Sequence, residues 1–273
     1  MMQRDYDQAV NDHYTRVARE EADSPLATMA DETVRGHETD TIVLFVEEAM
    51  TRLKQHSDGK LRVLDVGCGN GYTLGVLHEK FPELDLTGVE KNDALREIAA
   101  RRFNEGLVSV LSGDIRADAF FGTEPFDVVI CQRVIINLLN PTDQSAALAN
   151  ITRAAKPGGL LLFVEAFQSG LDNLNRARAE FDLEAIPPAH HNLYLNDDFF
   201  QVDELLPYVS DSWDVPENLM STHYFVSRVF HPVVLGSRAF DRNSEFVKFF
   251  TKALPTGIGD YSQIKLLPFT RTV

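Results

Sequence analysis

Asp65-Val66-Gly67-Cys68-Gly69-Asn70-Gly71 follows an apolar run and sets a carboxylate ahead of three alternate glycines. Glycines so spaced let a turn at a strand end bring its backbone against a ligand, because no Cβ intervenes and positive φ is open to them. Such turns serve several nucleotide-like ligands, and isolated ones are often structural. Further on, Leu86-Thr87-Gly88-Val89-Glu90 is an apolar run ending in an acid that can accept two ribose hydroxyls, with Lys91 next to it. Glu90 could instead open a helix ahead of Asn92 and Asp93, although its spacing from the glycines favours the ribose role. In Gly113-Asp114-Ile115, Asp114 could accept from an adenine amino group while Ile115 covers the ring, or the three could form an ordinary turn. Phe126-Asp127-Val128-Val129-Ile130-Cys131-Gln132-Arg133 brings Gln132 out after a further apolar run.

The elements that carry these groups alternate. Apolar runs at 61–66, 84–89, 107–111, 126–131 and 160–166 are separated by helical patterns to about Lys80, over 93–104 and over 142–155, with Lys156-Pro157-Gly158-Gly159 as a break. This order predicts an α/β fold with a mainly parallel sheet and helices on both faces, whose buried central strands are apolar throughout. Ahead of it, helices are expected at Asp5–Glu21 and Thr41–Leu53, joined through Ser24-Pro25 and a mixed segment in which Met29, Arg35 and Glu38 stand out. After Phe167 the pattern predicts a helix at Leu171–Leu183, an acidic helix at Asp197–Leu206, strands at Thr222–His231 and Gln263–Thr270, and a helix at Ser244–Leu254 between those strands. The expected organisation is a helical lid at 1–58, a ligand-binding core at 59–168, a helical and loop cap inserted at 169–220, and C-terminal strands and helix completing the core at 221–273.

Composition narrows the partners. The chain has 273 residues, 26 Lys plus Arg against 41 Asp plus Glu, and a net charge of −15, which argues against nucleic acid. No apolar stretch suits a membrane span or an export signal, so a cytoplasmic protein without membrane contact is expected. Cys68 and Cys131, in strand-like contexts, read as reduced core thiols.

Taken together, VLDVGCGNG, the acid of GVE, the GDI turn, FDVVICQ and the AAKPGG turn before LLLFVEAF resemble, in their order, the class I methyltransferase family over roughly residues 60–167. The resemblance implies a Rossmann-like seven-stranded sheet with an antiparallel last strand and S-adenosylmethionine over Gly67, Cys68, Gly69, Asn70 and Gly71, leaving S-adenosylhomocysteine as product. It places Glu90 at ribose, Asp114 and Ile115 at adenine, and Asp65 and Gln132 near the methionine end. It also implies a lid from the N-terminal helices, where Arg35 could pair with the cofactor carboxylate or form a surface ion pair with Glu32 or Glu38.

The acceptor must be held by residues beyond the strand ends. Glu165 and Gln168, then Asn175 and Arg178, then His190, His191, Asn192 and Tyr194 are the candidates. Arg178 could clamp an anion or pair in solvent with its acidic helix neighbours. His190 and His191 would face opposite ways on an extended segment, one of them inward as a base, with Glu165 as a further catalytic candidate. His223 and Arg228, on an expected strand, are lesser substrate candidates. No second acid follows the fourth run, so no metal is expected in this protein, and Cys131-Gln132-Arg133-Val134 lacks the proline-rich tetrapeptide of DNA amino-group methylation. The expected function is methylation of an O or N atom on a small polar metabolite, neutral or anionic, or on a glycan precursor, by a monomer or homodimer. A non-catalytic module binding the same cofactor is the alternative, with an NAD-dependent oxidoreductase behind it because the loop reads GxGxG rather than GxGxxG.

Overall fold

The computed structural model describes residues 3–53, 59–103, 106–236 and 241–272. Residues 54–58, where the expected lid ends, and residue 104, the expected end of a helix, lie outside them. Seven strands form one sheet in the order β3-β2-β1-β4-β5-β7-β6. They are β1 Arg62–Val66, β2 Asp85–Glu90, β3 Val108–Ser112, β4 Phe126–Gln132, β5 Ala155–Ala166, β6 Leu205–Pro207 and β7 Ile264–Arg271. All neighbours among β1 to β5 pair in parallel, and β7 runs antiparallel to both β5 and β6.

Alternation of side chains along each strand divides the apolar residues between two cores. Val63, Val128 and Leu160 stand in register and face a core shared with Ile42 and Phe45 of α2 (Glu32–Leu53) and Leu74 and Leu77 of α3 (Tyr72–Lys80). Leu64, Val129 and Leu161 face the opposite core with Ala147, Leu148 and Ile151 of α5 (Pro141–Ala154). Helix α4 (Asp93–Arg102) follows β2, α1 (Gln3–Glu21) opens the chain, and α6 (Gln168–Ala179) follows β5. Because β1 to β4 are parallel, their carboxyl ends and the loops after them lie along one edge of the sheet.

The last third departs from expectation twice. Thr222–His231 is not a strand: α7 (Ser221–Phe225), a π-helical turn (Val226–Phe230) and α8 (His231–Leu235) run continuously through it. Its buried Met220, Tyr224, Val226 and Val229 recur at helical separations, and Phe230 packs on Phe246 and Phe250 of α9 (Glu245–Ala253). β-propensity lost to packing that suits a helix. Residues 197–206 are not an acidic helix either; their turns lead into β6, so the sixth strand comes from the segment expected to be a cap. α2 also begins earlier than expected, with Asp31 Oδ1 accepting the Val34 amide (3.2 Å) at its first turn. No helix among the described residues is long and apolar enough to cross a membrane.

Phe163 is fully buried on β5 and packs against the rings of Phe200 and Phe269, the latter on β7. Phe163→Ala is expected to cost about 3–5 kcal/mol in urea unfolding, because the antiparallel edge cannot collapse into the cavity.

Candidate functional site

The loop after β1 is fixed by its glycines and by one carboxylate. Gly67 and Gly71 have φ of 68° and 76°, and a Cβ on Gly67 would stand 2.5 Å from a Val134 methyl carbon. Glu90, at the end of β2, accepts the Gly69 amide at 2.9 Å and the Asn92 amide at 2.7 Å. Asn92 in turn caps α4 with its own side chain, so Glu90 holds the glycine loop instead of starting the helix.

Beneath the loop lies a pocket bordered by Asp65, Gly67, Glu90, Asp114, Ile115 and Gln132, and also by Cys68, Gly69, Asn70 and Lys91. Gly71 shapes the turn without lining it; its φ and its approach to Ala99 of α4 carry the chain into α3. Asp65 is 2% exposed, and burial, with repulsion from Glu90 behind it, raises its carboxyl to about 7. Burial also raises Glu90, against the stabilising amides of Asn92 and Gly69. Two acids at adjacent strand ends therefore favour a cationic or hydroxyl-rich ligand. At the other end, Asp114 accepts from Arg116 (2.6 Å) and pairs with Lys91 (3.0 Å). Burial raises the Asp114 carboxyl, but Arg116 and Lys91 outweigh it and leave it well below the ordinary range, ionised and able to accept a further donor. Ile115, Val89 and Leu95 give that end apolar walls.

Arg35 is buried in the pocket wall and donates to Thr28 Oγ1 at 2.6 Å, while its buried Nε has no hydrogen-bond partner. Burial, then Arg133, lowers the Arg35 guanidinium to about 10, still cationic at neutral pH. The ion pair considered for it forms with Glu38 at 3.8 Å, but it is buried and not at the surface. Fully buried Glu38 also takes the Gln132 amide (2.6 Å) and faces Arg133 Nε (2.9 Å). S-adenosylmethionine fits this donor set, with acids for its cationic amino acid end and ribose, an orphaned arginine donor for its carboxylate, and an apolar slot for its base.

A family model described as a methyltransferase domain matches residues 63–159, the stretch carrying the glycine loop, both acids and Gln132. Over those residues the chain is similar to methyltransferase domains. It is 27% identical over 215 residues to a dTDP-4-amino-2,3,4,6-tetradeoxy-D-glucose N,N-dimethyltransferase of Saccharopolyspora spinosa, covering 75% of this chain and 64% of that one. It is 29% identical over 106 residues to a malonyl-[acyl-carrier protein] O-methyltransferase of Priestia megaterium, covering 38% and 36%. The chain thus spans less than two thirds of the length of either relative. The structure of magnesium protoporphyrin IX methyltransferase from Synechocystis, with bound S-adenosylhomocysteine, aligns over 96% of this chain and 94% of that one at a TM-score of 0.52 and 14% identity, a likeness of fold.

Beside the pocket, the chain has a chamber that shares Tyr14, Thr28, Arg133 and Asn137 with it. Sequence reasoning expected a lid from the N-terminal helices but singled out no residue of α1. Tyr14, buried at the divide, donates to Asn137 Oδ1 at 3.1 Å, a contact between residues 123 apart in the chain. His191 and Asn192 reach the chamber, and the rings of His191 and His13 of α1 stack at 4.0 Å. His190 and His191 do not face opposite ways: a turn places both rings near His13. Burial, followed by repulsion from His13 and His190, lowers His191 to about 4.

The other acceptor candidates are structural. Fully buried Glu165 accepts the amides of Val134 (2.9 Å), Ile135 (3.0 Å) and Ile136 (3.4 Å), so it shapes the turn after β4 and is not among the residues lining either cavity. Gln168 donates to Asp172, and Asn175 exchanges hydrogen bonds with the Ile186 backbone. Arg178 is buried and donates to the carbonyls of Glu184 and Arg228, which excludes the solvent ion pair as well as a clamp in these cavities. Tyr194 packs against the second core. His223 and Arg228 converge on buried Asp31, at 2.9 and 3.1 Å, away from both cavities. Nothing in residues 27–38 signalled Asp31, whose partners are more than 190 positions away.

Asp65 has a direct consequence for stability. Its folded value of about 7 against 3.8 means that its contribution is full below about pH 4 and is lost as pH rises through 7. Asp65→Asn should therefore melt above the wild type at pH 8 without ligand, the gap closing toward pH 4. A variant that melts lower at pH 8 would contradict a raised Asp65.

Proposed function

We propose that the protein transfers a methyl group from S-adenosylmethionine to a nitrogen or oxygen of a small polar acceptor held in the adjoining chamber. Buried Asp65 and partly buried Glu90, beside the orphaned Nε of Arg35, carry this reading, because a zwitterionic sulfonium nucleoside satisfies all three. When bound, the cofactor supplies an electrophilic methyl carbon. The chain's own part is alignment and exclusion of water: Glu90 orients ribose, Arg35 holds the carboxylate, and Tyr14, Arg133 and Asn137 border the passage through which the acceptor would approach in line.

Arg16, Arg133 and Arg242 line the chamber with Glu20 and Glu21, which favours an acceptor bearing an anionic group as well as polar ones. The Saccharopolyspora relative, named for an amino sugar on a nucleotide carrier, has that character. His191 lines the chamber and Glu165 does not, but burial lowers His191 to about 4, so an acceptor that needs no base, an amine or an anion, suits the chamber better.

Calorimetry with S-adenosylhomocysteine should show one site per chain. Glu90→Ala removes acceptors of two ribose hydrogen bonds, each worth about 1.5–3 kcal/mol when charged, so affinity should fall by at least tenfold. Labelled methyl transfer to nucleotide-linked amino and hydroxy sugars then separates an enzyme from a binding module. Binding without transfer to any acceptor class would favour the module, and no binding at all would overturn the reading.

A further inference from the structure

His13, His190 and His191 form a cluster that nothing in the donor pocket requires. His13 lies on α1 and the other two follow Pro187-Pro188, so 177 and 178 positions of chain separate the helix residue from its companions. One ligating nitrogen from each lies within 4.8 Å of the other two, and among the described residues this is the one group of three or more His, Cys, Asp or Glu so arranged. Arg16 Nη2 lies 3.3 Å from His13 Nδ1; ligation through Nε2 puts the ring proton on Nδ1, so this contact must give way when a metal binds. His191 Nδ1 is buried and has no hydrogen-bond partner, and the same is true of the neighbouring Asn192 Oδ1.

We propose that these three histidines bind a divalent transition metal, zinc or a neighbouring ion that prefers imidazole, at the wall of the acceptor chamber. Three imidazoles are a recurrent protein ligand set for such an ion and leave a fourth position open. Tetrahedral coordination at about 2.0–2.1 Å puts the nitrogens roughly 3.4 Å apart, so the cluster must draw in by about an ångström. His190 is exposed and His13 and His191 are partly so, which leaves the rings room to rotate out of their stack. Arg16 and Arg242 oppose a cation here, while Glu20 and Glu21 line the same chamber and offset them. The open position faces the chamber, so an acceptor hydroxyl, amine or carboxylate would be its ligand. Only that last step rests on the proposed methyl transfer; the metal site itself does not.

The test uses the full chain without a histidine tag, stripped with chelator, and titrates zinc chloride by calorimetry. One zinc per chain is expected, with affinity at least tenfold weaker in His13→Ala and in His191→Ala, and electron paramagnetic resonance of bound copper(II) showing nitrogen ligation. His190→Ala, an exposed substitution that leaves the fold intact, should weaken zinc by a similar factor and guards against loss through misfolding. No zinc binding, or binding that survives all three substitutions, would overturn the proposal. S-adenosylhomocysteine is titrated separately into the metal-free protein, so failure of the donor site and failure of the metal site give different results.

Discussion

Two carboxylates at adjacent strand ends, Asp65 buried and Glu90 partly so, set the character of this molecule. Asp65 and Glu90 end adjacent parallel strands, and the register of β1 on β2 sets Asp65 opposite Gly88, two residues before Glu90. Glu90 is committed to the amides of Gly69 and Asn92, so the acid that shapes the glycine loop is the acid a ribose would meet. Asp65 has no such support, and burial makes its charge costly until a cation arrives. The fold tolerates this because β1 and β2 lie within the sheet and are anchored by apolar residues on both faces. Perturbed acids of this kind cluster at functional sites, where stability is given up for ligand recognition.

The far wall depends on two more buried acids with a different task. Glu38 draws Gln132 and Arg133 toward α2, and Glu165 gathers three successive amides of the turn after β4. Both organise that turn, and through it the border between the donor pocket and the chamber. Glu165 is committed to those amides, whereas Asp65, disfavoured as an anion by burial, and the unpartnered Nε of Arg35 have capacity to spare. That difference separates the acids that build the site from the groups left to bind something.

The donor half was legible because each of its residues sits at a strand end. Local spacing places Gly67–Gly71, Glu90, Asp114 and Gln132, and parallel pairing brings them to one edge without any long-range contact having to be guessed. The acceptor half was not legible for the opposite reason. His13 meets His191, Tyr14 meets Asn137, and Asp31 meets His223, each pair more than a hundred positions apart, and no periodicity encodes such meetings. Arg178 and Glu165 were chosen for their chemistry, yet both are consumed by backbone partners that only the folded chain supplies. Residues 222–231 show the same limit at the level of elements, since an aromatic and aliphatic composition suited to a strand packs here as a helix.

If Asp65 waits for a cation, binding must change its protonation. Calorimetric titration of S-adenosylhomocysteine in buffers of differing ionisation enthalpy measures that change directly. With Asp65 near 7 before binding, proton release should approach one per site as pH falls from 7 toward 6, and Asp65→Asn should abolish it. Heats independent of buffer over that range, with binding intact, would contradict the account.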